Sequence, residues 1–577
     1  MKLRHLLFGL LAGVAFVACT NDDDPAGVTP VNGGNEVAAN KSYMMVNFVM
    51  PGNATTRADG GFAIGDENEN TISKGVLFFF DDNLTQQVAD PFVLGANGSE
   101  ALEGTTLNWT LQESGNIENK STAIIVIANP LTEPTHVLAV LNADLATLKL
   151  DKSSTLAEIK ARVDDYAAAA YTTKGTFVMS NSVYQEDVTA EITKTYKTVE
   201  EAKADAAKNP AVASVDIYVE RVAAKVAVDI DGATWNLANA DTENGETASN
   251  KVKIVNAQGV VEEVELEGVI EGWWLDNAVD KSFLLKKFPT SKDVDAANFR
   301  SYWAGAIPAG ATFKHFAFED AAANKGKAIY TNENVNAENP TQAVVAVTLK
   351  KKGGDALNLV RYLENVYTVE SFNTALANKF AHKYFKAKDN GYETVDATDF
   401  VITYVLSKKE GETVKYYYIA ADGAKTDIVA PEGYTFPTDL KDYQAYTMIQ
   451  AKETTEFLER TTKADGTYEY GPADAEALKA ELAAGGYTVD KWSDGMAYYF
   501  VPIKHDLGTK YTVGNGVIRN HVYQITVTSI NGLGTPVPFK ENDEIIPIKP
   551  EPEGLYISAK INVLAWKVVT QNVNLGK

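Results

Sequence analysis

The sequence predicts an all-β chain with inserted short helices, built as two β-sandwich domains. Three observations carry this. Short runs of β-branched and aromatic residues recur between Gly, Asn and Asp turn signals, as in Gly75–Phe80 (GVLFFF), Ala123–Ala128 (AIIVIA), Thr176–Met179, Ala343–Leu349 (AVVAVTL) and Val522–Ser529. Several alternate: Tyr523, Ile525 and Val527 share one face, as a half-buried antiparallel strand requires. A chain of 577 residues also exceeds what a single hydrophobic core serves, so it divides.

In chain order, residues 1–18 read as a signal peptide. Lys2 and Arg4 give the positive start, and the apolar run Leu6–Ala18 is short of the ~20 residues a spanning helix needs. Cys19, the one cysteine in the chain, follows directly. Val17-Ala18-Cys19 fits a lipobox, with Phe16 where Leu or Val is usual, so Cys19 is read as a lipid attachment point; the alternative is an ordinary signal peptide with an incidental cysteine. Thr20-Asn21-Asp22-Asp23-Asp24 makes an acidic tether, and Asp22–Asn40 is a Gly/Asn/Pro-rich linker. Tyr43–Met50 then alternates, with Met44, Val46, Phe48 and Met50 on one side, as an orphan strand. It is followed by the small, polar stretch Ala54–Gly60, of a kind proteases enter. Arg57 is the one arginine between Arg4 and Arg162, so cleavage after it would leave a defined N-terminus at Ala58; a plain surface-loop arginine is the alternative.

The body is expected as an N-terminal sandwich, 58–235, and a C-terminal sandwich with insertions, 236–544. The boundary falls in the Gly/Asn/Asp/Thr-rich Asp231–Ser249, after a long Val215–Ile230 strand. Helices are expected after the capping box of Thr155 and Glu158, with Leu156, Ile159, Val163 and Tyr166 on one face, and at Thr198–Lys208, Val369–Phe380 and Ala473–Ala484. Ile545–Gly554 is a stiff, Pro-rich spacer opening the last segment, 545–577. In the tail beyond it Ile557, Ala559, Ile561 and Val563 share a face, and Leu564, Trp566 and Val568 take the opposite phase after a bulge near Ala565. Such a strand either completes its own sandwich or adds to another chain's sheet edge.

Chemistry is sparse. With 77 acidic against 53 basic residues the net charge is −24, which argues against nucleic acid or anionic lipid as partners. Six histidines are scattered with no pair at metal-ligand spacing, and there is no GxSxG and no phosphate loop. No cofactor, metal or catalytic residue is expected. His521 opens a strand and is read as a turn hydrogen-bond donor, Asp81-Asp82-Asn83 as a hairpin turn, and Trp273, Trp274 and Trp303 as core rather than a sugar platform.

Cys19, the Arg57 stretch, Phe177–Ser182, Val219–Val226 (VERVAAKV), Arg300–Ala304, Gly495–His505, Val517–Tyr523 (VIRNHVY), Gly532–Pro536 and Leu564-Ala565-Trp566 together resemble the shaft subunits of Bacteroidales type V fimbriae. The major subunit of minor-type fimbriae is the nearest likeness, and Lys351–Asp490 is where it is weakest. The resemblance implies transthyretin-like sandwiches and export as an outer-membrane lipoprotein. A surface Arg-specific protease would then cut after Arg57, and loss of Tyr43–Met50 would open a groove. The C-terminal strand of an identical subunit would fill that groove, with anchor and tip subunits at the filament ends and a filament supporting adhesion. The alternatives are a tip or accessory subunit, or a monomeric surface lipoprotein that binds a glycan or a host protein.

Overall fold

A computed structural model describes residues 41–50, 67–94, 109–110, 112–113, 119–181, 189–209, 214–230, 234–235, 251–256, 258–286, 306–314, 318–410, 412–421, 423–505, 514–530, 532–538, 558–562 and 567–575. Cys19, Arg57, Ala58, Trp303, Ile557 and Val563 lie outside the described residues.

The chain is mostly strand. Its first sheet runs Phe92–Leu94, Gly75–Phe80, His136–Leu141, Met179–Asn181, β3 (Ser214–Arg221), β1 (Lys41–Met50), β2 (Asn119–Ala128) and Gln112–Glu113. One face carries Leu77, Phe79, Phe92, Ile125, Ile127, Ile217 and Val219. The other packs Val76, Phe78 and Phe80 against Leu148, Leu156 and Ile159 of two short helices. Gly75–Phe80 is therefore buried at every position, which is why it reads as a continuous apolar run and does not alternate.

The capping box at Thr155 is present, Thr155 and Glu158 each satisfying the other's backbone N–H. The helix it opens stops at Lys160, short of the expected extent. Val163-Asp164 instead pair with Ser282-Phe283, so cross-chain pairing overrides the helical period at Val163. The other three helices sit close to where the sequence puts them, at Val199–Lys208, Val369–Asn378 and Ala475–Ala483, capped by Thr198, Thr368 and Asp474.

The expected continuous strand from Val215 to Ile230 is two strands. The chain turns at Val222–Ala223 and enters β4 (Ala224–Asp229), which belongs to a different sheet. That sheet runs Ala328–Thr331, β4, β5 (His521–Ile530), β6 (Ser558–Asn562) and β7 (Lys567–Leu575). Val226, Val228, Tyr523, Ile525 and Val527 face Trp273, Leu275, Val345, Val347, Tyr499 and Val501 of a second layer, Val261–Asp276, Gln342–Lys351 and Met496–Pro502. Trp273 is fully buried there, as core. The second layer continues through Lys251–Val255 and Asn365–Thr368 into the insertion between Lys351 and Asp490. The insertion has its own core, in which Phe372, Leu376, Leu478 and Leu482 of two helices pack on Val360, Phe400, Ala445 and Ile449. It also carries a separate four-stranded sheet, Gly391–Thr394, Tyr384–Lys388, Leu458–Thr462 and Tyr468–Pro472.

Candidate functional site: an interior strand, a buried ionic junction and the C-terminal strands

β1 does not sit at an edge. All 10 of its residues pair antiparallel with β2, from Lys41 opposite Ala128 to Met50 opposite Asn119. Along its other side Met45–Val49 pair in parallel with Ser214–Tyr218 of β3. Met44 and Val46 are both 0% exposed and enter the core beside Ile125, Ile127 and Ile217. The backbone of Phe48 stands opposite Ser121 and Ile217. A strand held this way joins the chain that follows it through residues 51–66, the segment containing Arg57. Without β1, two strands would face each other across one empty strand position floored by apolar side chains.

Just past that segment, Glu69 lies on the short helix Glu67–Asn70 and is fully buried. Its carboxylate is held by Lys225 Nζ at 2.7 Å and by the Tyr330 hydroxyl, which donates at 2.6 Å. Arg221 Nε donates to its backbone carbonyl at 3.0 Å. Burial alone would raise the Glu69 carboxyl, but the Arg221 and Lys225 charges and the Lys225 and Tyr330 hydrogen bonds outweigh it and hold the group below the ordinary glutamate value. Burial pushes Arg221 down to about 10. Arg221 Nη1 also donates to Asn520 Oδ1 at 3.2 Å.

The neighbour of Asn520 makes the second half of the junction. Arg519 is fully buried and its guanidinium is used on every side: Nε donates to Glu333 Oε1 at 2.9 Å, Nη1 to the Leu284 carbonyl at 3.0 Å, and Nη2 to Ser282 Oγ at 3.1 Å and the Phe283 carbonyl at 2.6 Å. Lys286 Nζ approaches the other Glu333 oxygen at 3.4 Å. Burial works to raise Glu333, yet Arg519 and Lys286 hold it low; burial also lowers the Lys286 ammonium. VERVAAKV and VIRNHVY, far apart in sequence, thus meet through Arg221 and Asn520 where the first sheet hands over to the second. Sequence reasoning named these segments only as resemblance motifs. Their joint role was invisible because the partners Glu69, Glu333 and Lys286 are distant in the chain and lie in unremarkable surroundings.

At the other end, β6 pairs antiparallel with β5, Ile561 opposite Ile525 and Ala559 opposite Val527. β7 meets β5 in parallel at His521–Tyr523 and Ile530. In the single chain the tail therefore pairs with the second sheet of its own chain.

The remaining candidates are structural. His521 Nδ1 donates to the Arg519 carbonyl at 2.7 Å, holding the turn into β5, and His505 Nδ1 pairs with the Tyr523 hydroxyl at 2.7 Å. Asp81 Oδ1 accepts from Asn83 N at 3.0 Å and closes a turn. Among the described residues no group of three His, Cys, Asp or Glu side chains is placed to hold a metal ion.

Residues 490–572 match a family described as major fimbrial subunit protein type IV, fimbrillin, C-terminal. This stretch is similar to the C-terminal part of fimbrial subunits and includes Gly495–His505, β5, the Pro-rich spacer and most of the tail. No curated protein matches the chain. Among solved structures, a candidate cell adhesion protein of Parabacteroides distasonis aligns over 71% of this chain and 96% of its own, at 13% identity and TM-score 0.31. Another from Bacteroides eggerthii aligns over 92% and 97%, at 10% identity and TM-score 0.30. The tip fimbrial protein Mfa3 of Porphyromonas gingivalis aligns over 67% and 100%, at 13% identity and TM-score 0.24. Likenesses this distant add nothing to the fold read above.

Proposed function

We propose that this chain is a structural, non-enzymatic subunit of a surface fimbria that polymerises by strand exchange. It is exported as an outer-membrane lipoprotein acylated on Cys19 and cut after Arg57 by an Arg-specific surface protease. Met44, Val46, Phe48 and Met50 leave with β1. Ile557, Ala559, Ile561 and Val563 of the next identical subunit take their place, with anchor and tip subunits as further partners. The observation that carries this reading is the position of β1, an interior strand joined to the body that follows it by a segment containing Arg57.

The energetics are adequate. Met44 and Val46 are fully buried, and at about 1.5–3 kcal/mol each they contribute about 3–6 kcal/mol before any ladder hydrogen bond is counted. Glu69 supports the same reading. Its ion pair and hydrogen bonds tie the chain downstream of the cut to both sheets without using β1, so β1 could leave while the body stays assembled. The donor and acceptor surfaces differ, so the contact is heterologous and propagates into a filament.

A monomeric surface lipoprotein is the second reading. It draws on the tail lying along β5 of its own chain. N-terminal sequencing of the protein taken from cell surfaces separates the two. The fimbrial reading expects Ala58 as the first residue, and expects Arg57→Ala to accumulate uncut precursor without filaments. An acylated Cys19 on the bulk surface protein would refute it.

A further inference from the structure

The four-stranded sheet of the insertion has two unlike faces. Tyr384 turns into the module's core, against Phe457 and Val395. Phe385, one residue on, turns the other way, as the period of two requires. On that outer side it meets a continuous aromatic layer. Tyr470 stands edge-on to Phe385 with ring centroids 5.0 Å apart, and Tyr392 stacks on Tyr470 at 4.0 Å and 18°. Arg460 lies over Phe385 at 5.3 Å and over Tyr468 at 4.4 Å. Tyr392 is 52% exposed and Tyr468 is 55% exposed, so flat ring surface is offered to solvent.

Charge says what would settle there. The lysines of the same two hairpins are engaged: Lys386 with Asp396 and Asp399, Lys388 with Glu393, and Lys463 with Glu469. Arg460 is exposed and has no carboxylate partner among the described residues. The Phe385 and Tyr468 rings lie against it, on a chain of net charge −24. A polyanion would be repelled by that overall charge, whereas a single carboxylate would be drawn to the Arg460 guanidinium. Exposed, pre-stacked tyrosine rings fit the C–H face of a pyranose, and side chains with so few free torsions lose little entropy on binding.

We infer that Tyr392, Tyr470, Arg460 and Tyr468 form a binding site for a carboxylated sugar, its ring lying on the tyrosines and its carboxylate on Arg460. The site is independent of polymerisation, since none of its residues belongs to β1 or the tail, so it can be tested on the full chain whether or not filaments form.

Saturation-transfer difference NMR on the full chain, with 3′-sialyllactose and a glucuronic acid disaccharide as probes and lactose as the neutral control, reads it directly. Saturation is expected on the acidic ring of at least one probe and to be much weaker on lactose. Arg460→Gln should erase the preference for the acidic sugar, and Tyr392→Ala should remove the ring signal. Both positions are exposed, so unchanged thermal unfolding of the variants will show that the fold persists. No saturation with either acidic probe, equal saturation with lactose, or signals unaffected in both variants would overturn the inference.

Discussion

Replacing Val46 by Asp places a charge in the middle of β1. Val46 is 0% exposed, stands opposite Ala123 and Val215, and packs with Met44 beside Ile125 and Ile217. An ionised carboxylate there would have no partner, and burying one costs more than the strand can return, so β1 should be expelled. The destabilisation is therefore capped at the docking energy of the strand, for which Met44 and Val46 alone supply about 3–6 kcal/mol. At about 2–4 °C per kcal/mol for a unit of this size, the N-terminal transition of the uncut chain should fall by about 6–24 °C. Asn47→Asp, on the opposite phase of the strand, should shift it far less. Differential scanning calorimetry of the precursors measures both. After cleavage at Arg57 the Val46→Asp product should unfold like the wild-type product, because the altered residue has left with β1. A Val46→Asp precursor melting with the wild type would refute the interior placement of β1. A wild-type cut product still melting like the precursor would refute its release.

Three further outcomes are expected. Cys19→Ser should abolish incorporation of a fatty-acid analogue, and label persisting in the variant would put the anchor elsewhere. Arg519→Ala should cost about 3–5 kcal/mol in urea unfolding, since Glu333 and the Leu284 and Phe283 carbonyls lose their buried donor; Arg519→Lys should rescue little, because an ammonium cannot reach the same four groups. The junction should also be acid-labile. Glu69 and Glu333 both titrate below the ordinary glutamate value, so their contribution is complete above about pH 4.3 and is lost as pH falls from there through the lower folded values. Fluorescence-detected unfolding across this window should show a steeper loss in the wild type than in Glu333→Gln, and parallel curves would contradict it.

Much of the architecture was legible in the residues. The alternation of Tyr523, Ile525 and Val527 gave the inward face of β5, the capping box at Thr155 gave one helix start, and the ranges read for the other three helices overlap those observed. Met44 and Val46 were legible as the buried side of β1, since a period of two needs no knowledge of the partner. The turn at Val222–Ala223 was hidden. Val219, Val222, Ala224 and Val226 are all buried, so the apolar run continues across the turn, and no Gly or Pro marks it. The helix expected through Tyr166 was overread for the converse reason: Val163 keeps the helical phase, but its backbone is claimed by Phe283. The ionic junction was out of reach, because Arg519 and Glu333 lie 186 positions apart and Arg221 and Asn520 lie 299 apart. Single charged residues look alike in the sequence whether they end exposed or paired.

Lys560 offers the most direct test of strand exchange. It precedes Ile561 in β6, falls on the other phase of the strand's period of two, and its backbone stands opposite Thr526 of its own β5 in the single chain. A photo-crosslinking amino acid placed there, activated in assembled filaments and mapped by mass spectrometry, should join residues 558–562 to residues 119–128 or 214–221 of a neighbouring subunit and double the mass of the denatured band. Crosslinks confined to Gln524–Ser529 of the same chain, with no dimer band, would contradict strand exchange and leave the tail as the closing strand of its own domain.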